Sequence, residues 1–216
     1  MTKDKGMAEM PQELQDKRTG EKTAGKPLGE MLSRLRFDNR WTLAEVSRRT
    51  GVSISSLSKI ENGQSSPAYS VLVRLAQGLG IDFAELIGSP TQKFAQAARV
   101  ITKADSGTKY TTKMGIYEAL APELAEKSMQ PMVIDIPVRS ANARPVRSAH
   151  KGEEFVYVLE GEVIFRMEPY TPVLLSKGDT VYFDASADHG FSSNTDRHSR
   201  ILSVCLDRAD STQPIA

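Results

Sequence analysis

Residues 41–79 read WTLAEVSRRTGVSISSLSKIENGQSSPAYSVLVRLAQGL, and the punctuation of this stretch decides the architecture of the first part of the chain. Thr42 stands before a run of helical period with Glu45 three residues on, the spacing of a capping box. Gly51 ends that helix, because glycine takes the left-handed conformation of a tight stop without a Cβ clash. Ser53 caps the next helix, SISSLSKIEN, which Gly63 terminates. Ser65, Ser66 and Pro67 then break the chain, and Val71, Leu72, Leu75, Ala76 and Leu79 fall on one apolar stripe. Upstream, Leu28, Met31, Leu32 and Leu35 repeat the 3–4 spacing of a buried face; downstream, Asp82 caps a short DFAELI helix. The expectation is a bundle of five short helices between residues 26 and 88.

If Val52, Leu57 and Ile60 form the inner face of the third helix, then Ser53, Ile54, Ser55, Ser58 and Lys59 point outward. Such a face suits a nucleic-acid groove. Small hydroxyl residues let a helix sit deep and can bond bases or phosphates, and Lys reaches guanine. Ile54, an aliphatic in the open, makes more sense against a thymine methyl than against water.

The segment resembles the lambda-repressor and Cro-like (XRE) helix-turn-helix family over residues 27–88. The resemblance rests on Ser47, Gly51, Val52, Leu57, Ile60, the ENG after the third helix and Pro67 before the fourth. It implies base contacts from Ile54, Ser55 and Lys59, and phosphate contacts from Thr42, Ser53, Asn62 and the amides near Gln64. Leu43 stands where many members carry Gln, so affinity would lean on Arg40, Arg48, Arg49 and Lys59. The resemblance also implies that Arg36 and Glu61 pair across the bundle.

Residues 1–25 are polar with almost no aliphatic content, and such a segment cannot offset its ordering entropy by burial. They are expected to be a disordered tail, as are residues 209–216. The whole chain has 216 residues and a formal net charge of +1, which leaves room for a local basic surface balanced elsewhere. The single cysteine, Cys205, excludes an intrachain disulfide and four-cysteine metal sites. It reads most simply as a small buried hydrophobe. No apolar run approaches the roughly 20 residues that span a bilayer, and the start lacks a secretory h-region. A cytoplasmic protein with no membrane partner is expected.

After a linker at 89–99, short runs of strand type recur between turn residues, from KYTTKMGIYEAL to SRILSVCLD. Breaks at Gly161, Pro169 to Pro172, Gly178 and Asp188 to Gly190 give an all-β rhythm over residues 100–208. Tyr110, Tyr117, Tyr157, Phe165, Phe183 and Phe191 are the expected core. HKGEEFVYVLEGEV followed by GDTVYFDASADHG resembles the two motifs of the cupin superfamily. The fold class expected is therefore α+β as two domains: an all-α five-helix bundle, then an all-β double-stranded β-helix (jelly-roll) barrel.

The cupin resemblance implies that His150, Glu154 and His189 point into the barrel, with Ser148 standing where the leading His of the first motif belongs. Two His and a carboxylate can hold a divalent metal such as Zn, Fe or Mn with positions left open. The same residues can instead line a pocket and hydrogen-bond an organic effector. On a strand, His150 and Glu154 share parity only if Gly152 does not break the geometry. His198 fits no motif spacing and reads as a strand-end residue, and Arg139, Arg144 and Arg147 read as a solvated basic loop.

A helix-turn-helix joined to a cupin resembles repressors of catabolic operons such as the putrescine-utilisation repressor. The resemblance implies a homodimer on a palindromic double-stranded operator and a small-molecule effector in the barrel. The linker is expected to transmit the coupling between the two sites. On this reading the chain is not an enzyme. The alternative is an iron-dependent cupin oxidoreductase of the hydroxypropylphosphonate epoxidase type, which also places His, a Glu four residues on and a later His in that order.

Overall fold

A computed structural model describes residues 25–89, 91–93, 95–138, 145–194 and 196–206. The segments expected to be tails lie outside these residues, Gly25 excepted, as do Arg139 and Arg144. Five helices form where the caps require them: α1 (Gly25–Asp38), α2 (Leu43–Thr50), α3 (Ile54–Glu61), α4 (Tyr69–Leu79) and α5 (Phe83–Leu86). The Thr42 hydroxyl accepts from the Glu45 amide at 3.1 Å, that of Ser53 from the Ser56 amide at 3.2 Å, and the Asp82 carboxylate from the Ala84 amide at 2.8 Å. Each satisfies a first-turn N–H that has no intrahelical partner. Gly51 and Gly80 close α2 and α4 in the left-handed conformation, at φ of 67° and 68°. Leu32, Val46, Leu57, Leu72, Leu75 and Leu86 lose nearly all their surface to the bundle core. Arg36 forks onto Glu61, Nε to Oε1 at 2.8 Å and Nη2 to Oε2 at 3.1 Å, tying α1 to the end of α3.

The bundle is drawn tight at one glycine. A Cβ on Gly78 would lie 2.6 Å from the Arg49 carbonyl oxygen and 2.8 Å from Thr50 Cα, so α4 meets α2 at backbone distance. Alanine gains about 1 kcal/mol of helix propensity over glycine. The overlap is with backbone that cannot rotate away, and such overpacking costs about 1–3 kcal/mol. Gly78→Ala is therefore expected to lower stability in urea denaturation despite its better propensity.

The rest of the described chain is β. A six-stranded sheet runs in the order β2 (Thr108–Thr111), β3 (Ile116–Ala119), β5 (Met129–Ile136), β11 (Ser199–Leu206), β6 (Glu153–Glu160), β9 (Thr180–Asp184). A second sheet has the order β10 (His189–Ser193), β7 (Glu162–Met167), β8 (Val173–Ser176). All ladders in both sheets are antiparallel. A small parallel pair joins β1 (Gln92–Lys93), in the segment after α5, to β4 (Leu124–Ala125). The fold is the two-domain α+β arrangement, helix-turn-helix bundle and cupin barrel.

Strand alternation sorts the aromatic residues. Tyr110, Tyr117, Phe165, Phe183 and Phe191 are buried as expected. Tyr157 is not: on β6 the buried residues are Glu154, Val156 and Val158, and Tyr157 takes the opposite parity and is exposed. Among the described residues no helix is long and apolar enough to cross a membrane.

Candidate functional site

Among the described residues two candidate sites stand out, one on each domain. On the bundle, burial of Leu57 and Ile60 turns the opposite face of α3 outward. Ile54 keeps 50% of its surface, and Ser53, Ser55 and Lys59 are exposed, with Ser58 half-buried. Thr42, Asn62, Gln64, Arg40 and Arg48 are exposed too. Several of these have local duties. Asn62 donates from Nδ2 to the Ser58 carbonyl at 2.8 Å, closing α3, and Arg40 sits at φ 55°, ending the turn after α1. Arg48 is engaged with Glu45 at 2.7 and 2.9 Å, and Arg49 reaches the same carboxylate at 2.6 Å while lying 4.4 Å over the Trp41 ring. Hydrogen bonds from Arg48 and then Arg49 hold the Glu45 carboxyl at about 2, well below its ordinary value. Glu45 thus spends its charge on these arginines, and both can meet an anion only by leaving or sharing it.

In the barrel, two histidines from separate segments meet at one carboxylate oxygen. Glu154 Oε2 lies 3.4 Å from His150 Nε2 and 3.3 Å from His189 Nε2. Its other oxygen accepts from the Ser203 hydroxyl at 2.7 Å. Gly152 turns at φ 100° between His150 and β6, so parity is interrupted, yet the two side chains still converge. His150 is held by its amide on the Ala185 carbonyl at 2.9 Å. His189 is held by a bridge to Ser148, with N···O distances of 2.8 and 3.0 Å.

The tautomers carry the chemistry. His189 Nδ1 lies 2.9 Å from the Ala187 carbonyl and His150 Nδ1 3.2 Å from that of Lys151, and a carbonyl can only accept. Each Nδ1 is therefore the donor, which leaves the Nε2 lone pairs of neutral rings facing the Glu154 carboxylate. Three acceptors aimed at one point need a cation between them, either a proton or a metal. Burial alone raises the Glu154 carboxyl; with a proton as that cation, carried on a histidine Nε2, the hydrogen bond to Glu154 outweighs burial and holds the carboxyl at about 2. Burial likewise lowers His189, and the Glu154 carboxylate more than offsets it, so His189 rises above its ordinary value.

Cys205, read from sequence as a plain hydrophobe, belongs to this cluster. Its Sγ lies 3.9 Å from His150 Nε2, and the ligand atoms of His150, Glu154 and Cys205 lie within 4.8 Å of one another. Burial, then the Glu154 charge, pushes the thiol well above its ordinary range, so it stays protonated without a cation beside it. The period of β11 was the available signal: Ser199, Ile201, Ser203 and Cys205 share the buried face. Arg147 pairs with Glu168 at 2.9 Å and Asp188 at 3.3 Å, and His198 is exposed.

The comparisons follow the two domains. Residues 27–86 match the family of the helix-turn-helix domain, and residues 139–205 match that of the cupin domain. The uncharacterized HTH-type transcriptional regulator y4dJ of Sinorhizobium fredii (strain NBRC 101917 / NGR234) is 38% identical over 68 residues, 32% of this chain and 87% of that protein. Other relatives span both domains. The HTH-type transcriptional regulator PuuR of Escherichia coli (strain K12) is 23% identical over 82% of this chain and 92% of its own length. (S)-2-hydroxypropylphosphonic acid epoxidase of Streptomyces wedmorensis is 24% identical over 79% of this chain and 90% of its own length. Among solved structures, an HTH_3 family transcriptional regulator from Vibrio cholerae shares the fold at a TM-score of 0.56, with 21% identity, covering 85% of this chain and 97% of that one. With caps, core and turn of the bundle in place and the cupin behind it, the chain belongs to the helix-turn-helix family of transcriptional regulators and carries a cupin domain.

Proposed function

We propose that the chain is a sequence-specific DNA-binding regulator whose cupin cluster binds a small effector, with or without a divalent metal, and thereby modulates operator binding. The observation that carries this reading is the outward face of α3, where Ile54, Ser55 and Lys59 are exposed above a core closed by Leu57 and Ile60. A module of this size reads few base pairs, so a homodimer on a palindromic operator is the natural arrangement. The residues at the cluster fit a metal: two imidazole Nε2 atoms and a carboxylate converge, with a thiol adjacent. Zn, Fe or Mn would be held by His150, Glu154 and His189, and would supply a Lewis-acid position for an effector's oxygen or nitrogen.

The test is selection of genomic DNA fragments by the purified protein at physiological salt. Recovery of a few palindromic sites is expected, and bulk DNA without enrichment would refute the reading. Lys59→Ala is expected to lower specific affinity by about 1–3 kcal/mol and to relax preference at one base position. A uniform loss across sequences with a shallower salt dependence would assign Lys59 to a phosphate instead.

The three-residue cluster also favours a second reading, an iron-dependent oxidoreductase like the epoxidase relative. Oxygen consumption by the iron-loaded protein with candidate hydroxyalkylphosphonates separates the two. Turnover would support the enzyme, and its absence beside specific DNA binding the regulator.

A further inference from the structure

The cluster in the barrel is closed by a residue of the other domain. Tyr69, in the first turn of α4, packs edge-on against His150 with ring centroids 5.1 Å apart and lies parallel to Tyr117 at 6.1 Å. The next amide, Ser70 N, donates to the Ser148 hydroxyl at 3.2 Å. Ser148 occupies the position where the cupin resemblance expects a metal-ligating His, and it is bridged through its backbone to His189. The side chain lost to the cluster is thus used as a latch on α4.

Volumes decide what this closure means. The chamber around His150, Glu154, His189 and Cys205, roofed by Tyr69, is about 10 Å³. That is room for about one water-sized body. On the outer side of Tyr69 and His150 lies an interdomain cleft of about 200 Å³, walled by α4 residues such as Val73 and Gln77 and by barrel residues such as Lys127 and Gln130. Tyr69, His150 and Cys205 border both spaces. A single ion fits beneath a closed Tyr69. An organic ligand reaching Glu154 and His189, which line the inner chamber and not the cleft, does not.

We propose that Tyr69 is the lid of the barrel site, and that an organic effector reaching the His–Glu cluster must displace it and release the Ser70–Ser148 latch, with the ligand then spanning both domains. The proposal rests on the reading of the cluster as a ligand site. The domains stay joined on the α5 side, where the Glu126 amide donates to Asp82 at 2.7 Å and the Ser89 and Thr108 hydroxyls lie 2.7 Å apart. Those contacts are the pivot. Because α4 meets α2 at backbone distance beside Gly78, the bundle tilts as one body, and in a dimer the spacing of the two α3 faces changes with it. Coupling then passes through a direct contact rather than through residues 89–99 alone.

Cys205, the only cysteine in the chain, makes the lid testable without knowing the effector. Full-length protein is treated with benzyl methanethiosulfonate, which forms a disulfide with the Cys205 sulfur and releases methanesulfinate. Tyr69→Ala is expected to speed this modification at least tenfold, while Tyr170→Ala, at an exposed turn, leaves the rate unchanged. Hydrogen exchange at the Ser70 amide is then compared before and after labelling. Labelling of the otherwise unaltered chain is expected to raise it at least tenfold, and Ser148→Ala to raise it without a label, a check that does not remove a core ring. An unchanged modification rate in Tyr69→Ala, or a Ser70 amide that stays protected in the labelled chain, would overturn the lid. Affinity for a selected DNA fragment is measured on both forms. A shift with labelling supports the coupling, and equal affinities with an open latch refute it. If neither form binds any fragment, the regulator reading fails, while the Ser70 amide still decides the lid.

Discussion

On the proposed metal-binding reading, Glu154→Ala is expected to abolish divalent-metal binding in the barrel, with Zn²⁺ or Mn²⁺ content after dialysis falling from about one equivalent toward none. Among the described residues Glu154 is the carboxylate at the meeting point of the two Nε2 atoms, and its charge would offset that of a cation there. Two imidazoles without it form a weaker and neutral pair. Loss of an outer-shell partner alone costs roughly 10–100-fold in metal affinity, so loss of the charged ligand exceeds that. Ser203→Ala, which frees Glu154 Oε1 but keeps the charge, should fall within that roughly 10–100-fold range. Graded losses in this order, read by metal titration, would show the cluster binding as a unit. Wild-type protein that stays metal-free through the same titration would make a proton the cation of the cluster, shared between Glu154 and His189, and leave an organic ligand as its occupant.

Leu57→Ala is expected to cost the helical domain about 2–5 kcal/mol and to lower its melting temperature by about 8 °C or more. Leu57 has 0% of its surface exposed and sits where α3 faces the bundle core. Truncation of a buried Leu costs about 2–5 kcal/mol, as lost transfer energy plus a cavity. A bundle of this size has only about 3–9 kcal/mol to lose, at roughly 0.05–0.15 kcal/mol per residue. The two ranges overlap, which is why one methyl-rich side chain can decide the fold. Far-UV circular dichroism through a thermal ramp reads the effect directly. DNA binding would be lost as the helices melt, unlike in Lys59→Ala, whose side chain is exposed and whose loss leaves the fold standing. The pair of variants separates a residue that builds the α3 face from one that is displayed on it.

The helical domain was largely legible in the chain, because its determinants are local. Thr42, Ser53 and Asp82 cap within three residues of themselves, Gly51 stops a helix by its own φ, and the 3–4 spacing of Leu72, Leu75 and Leu79 names the buried face. The β half was legible in its strands and motifs, though alternation assigned Tyr157 to the outside against the expectation from its bulk.

What sequence alone determined was the pair of domains and the candidacy of His150, Glu154 and His189, since caps, periodicity and motif spacing act over a few residues. What only the tertiary structure decided was which other groups meet them. The pairing of β11 with β6 sets Cys205 opposite Glu154, and the docking of the domains brings Tyr69 over His150 and the Ser70 amide onto Ser148. These contacts join residues about 50 to 80 positions apart, through packing that no local pattern encodes.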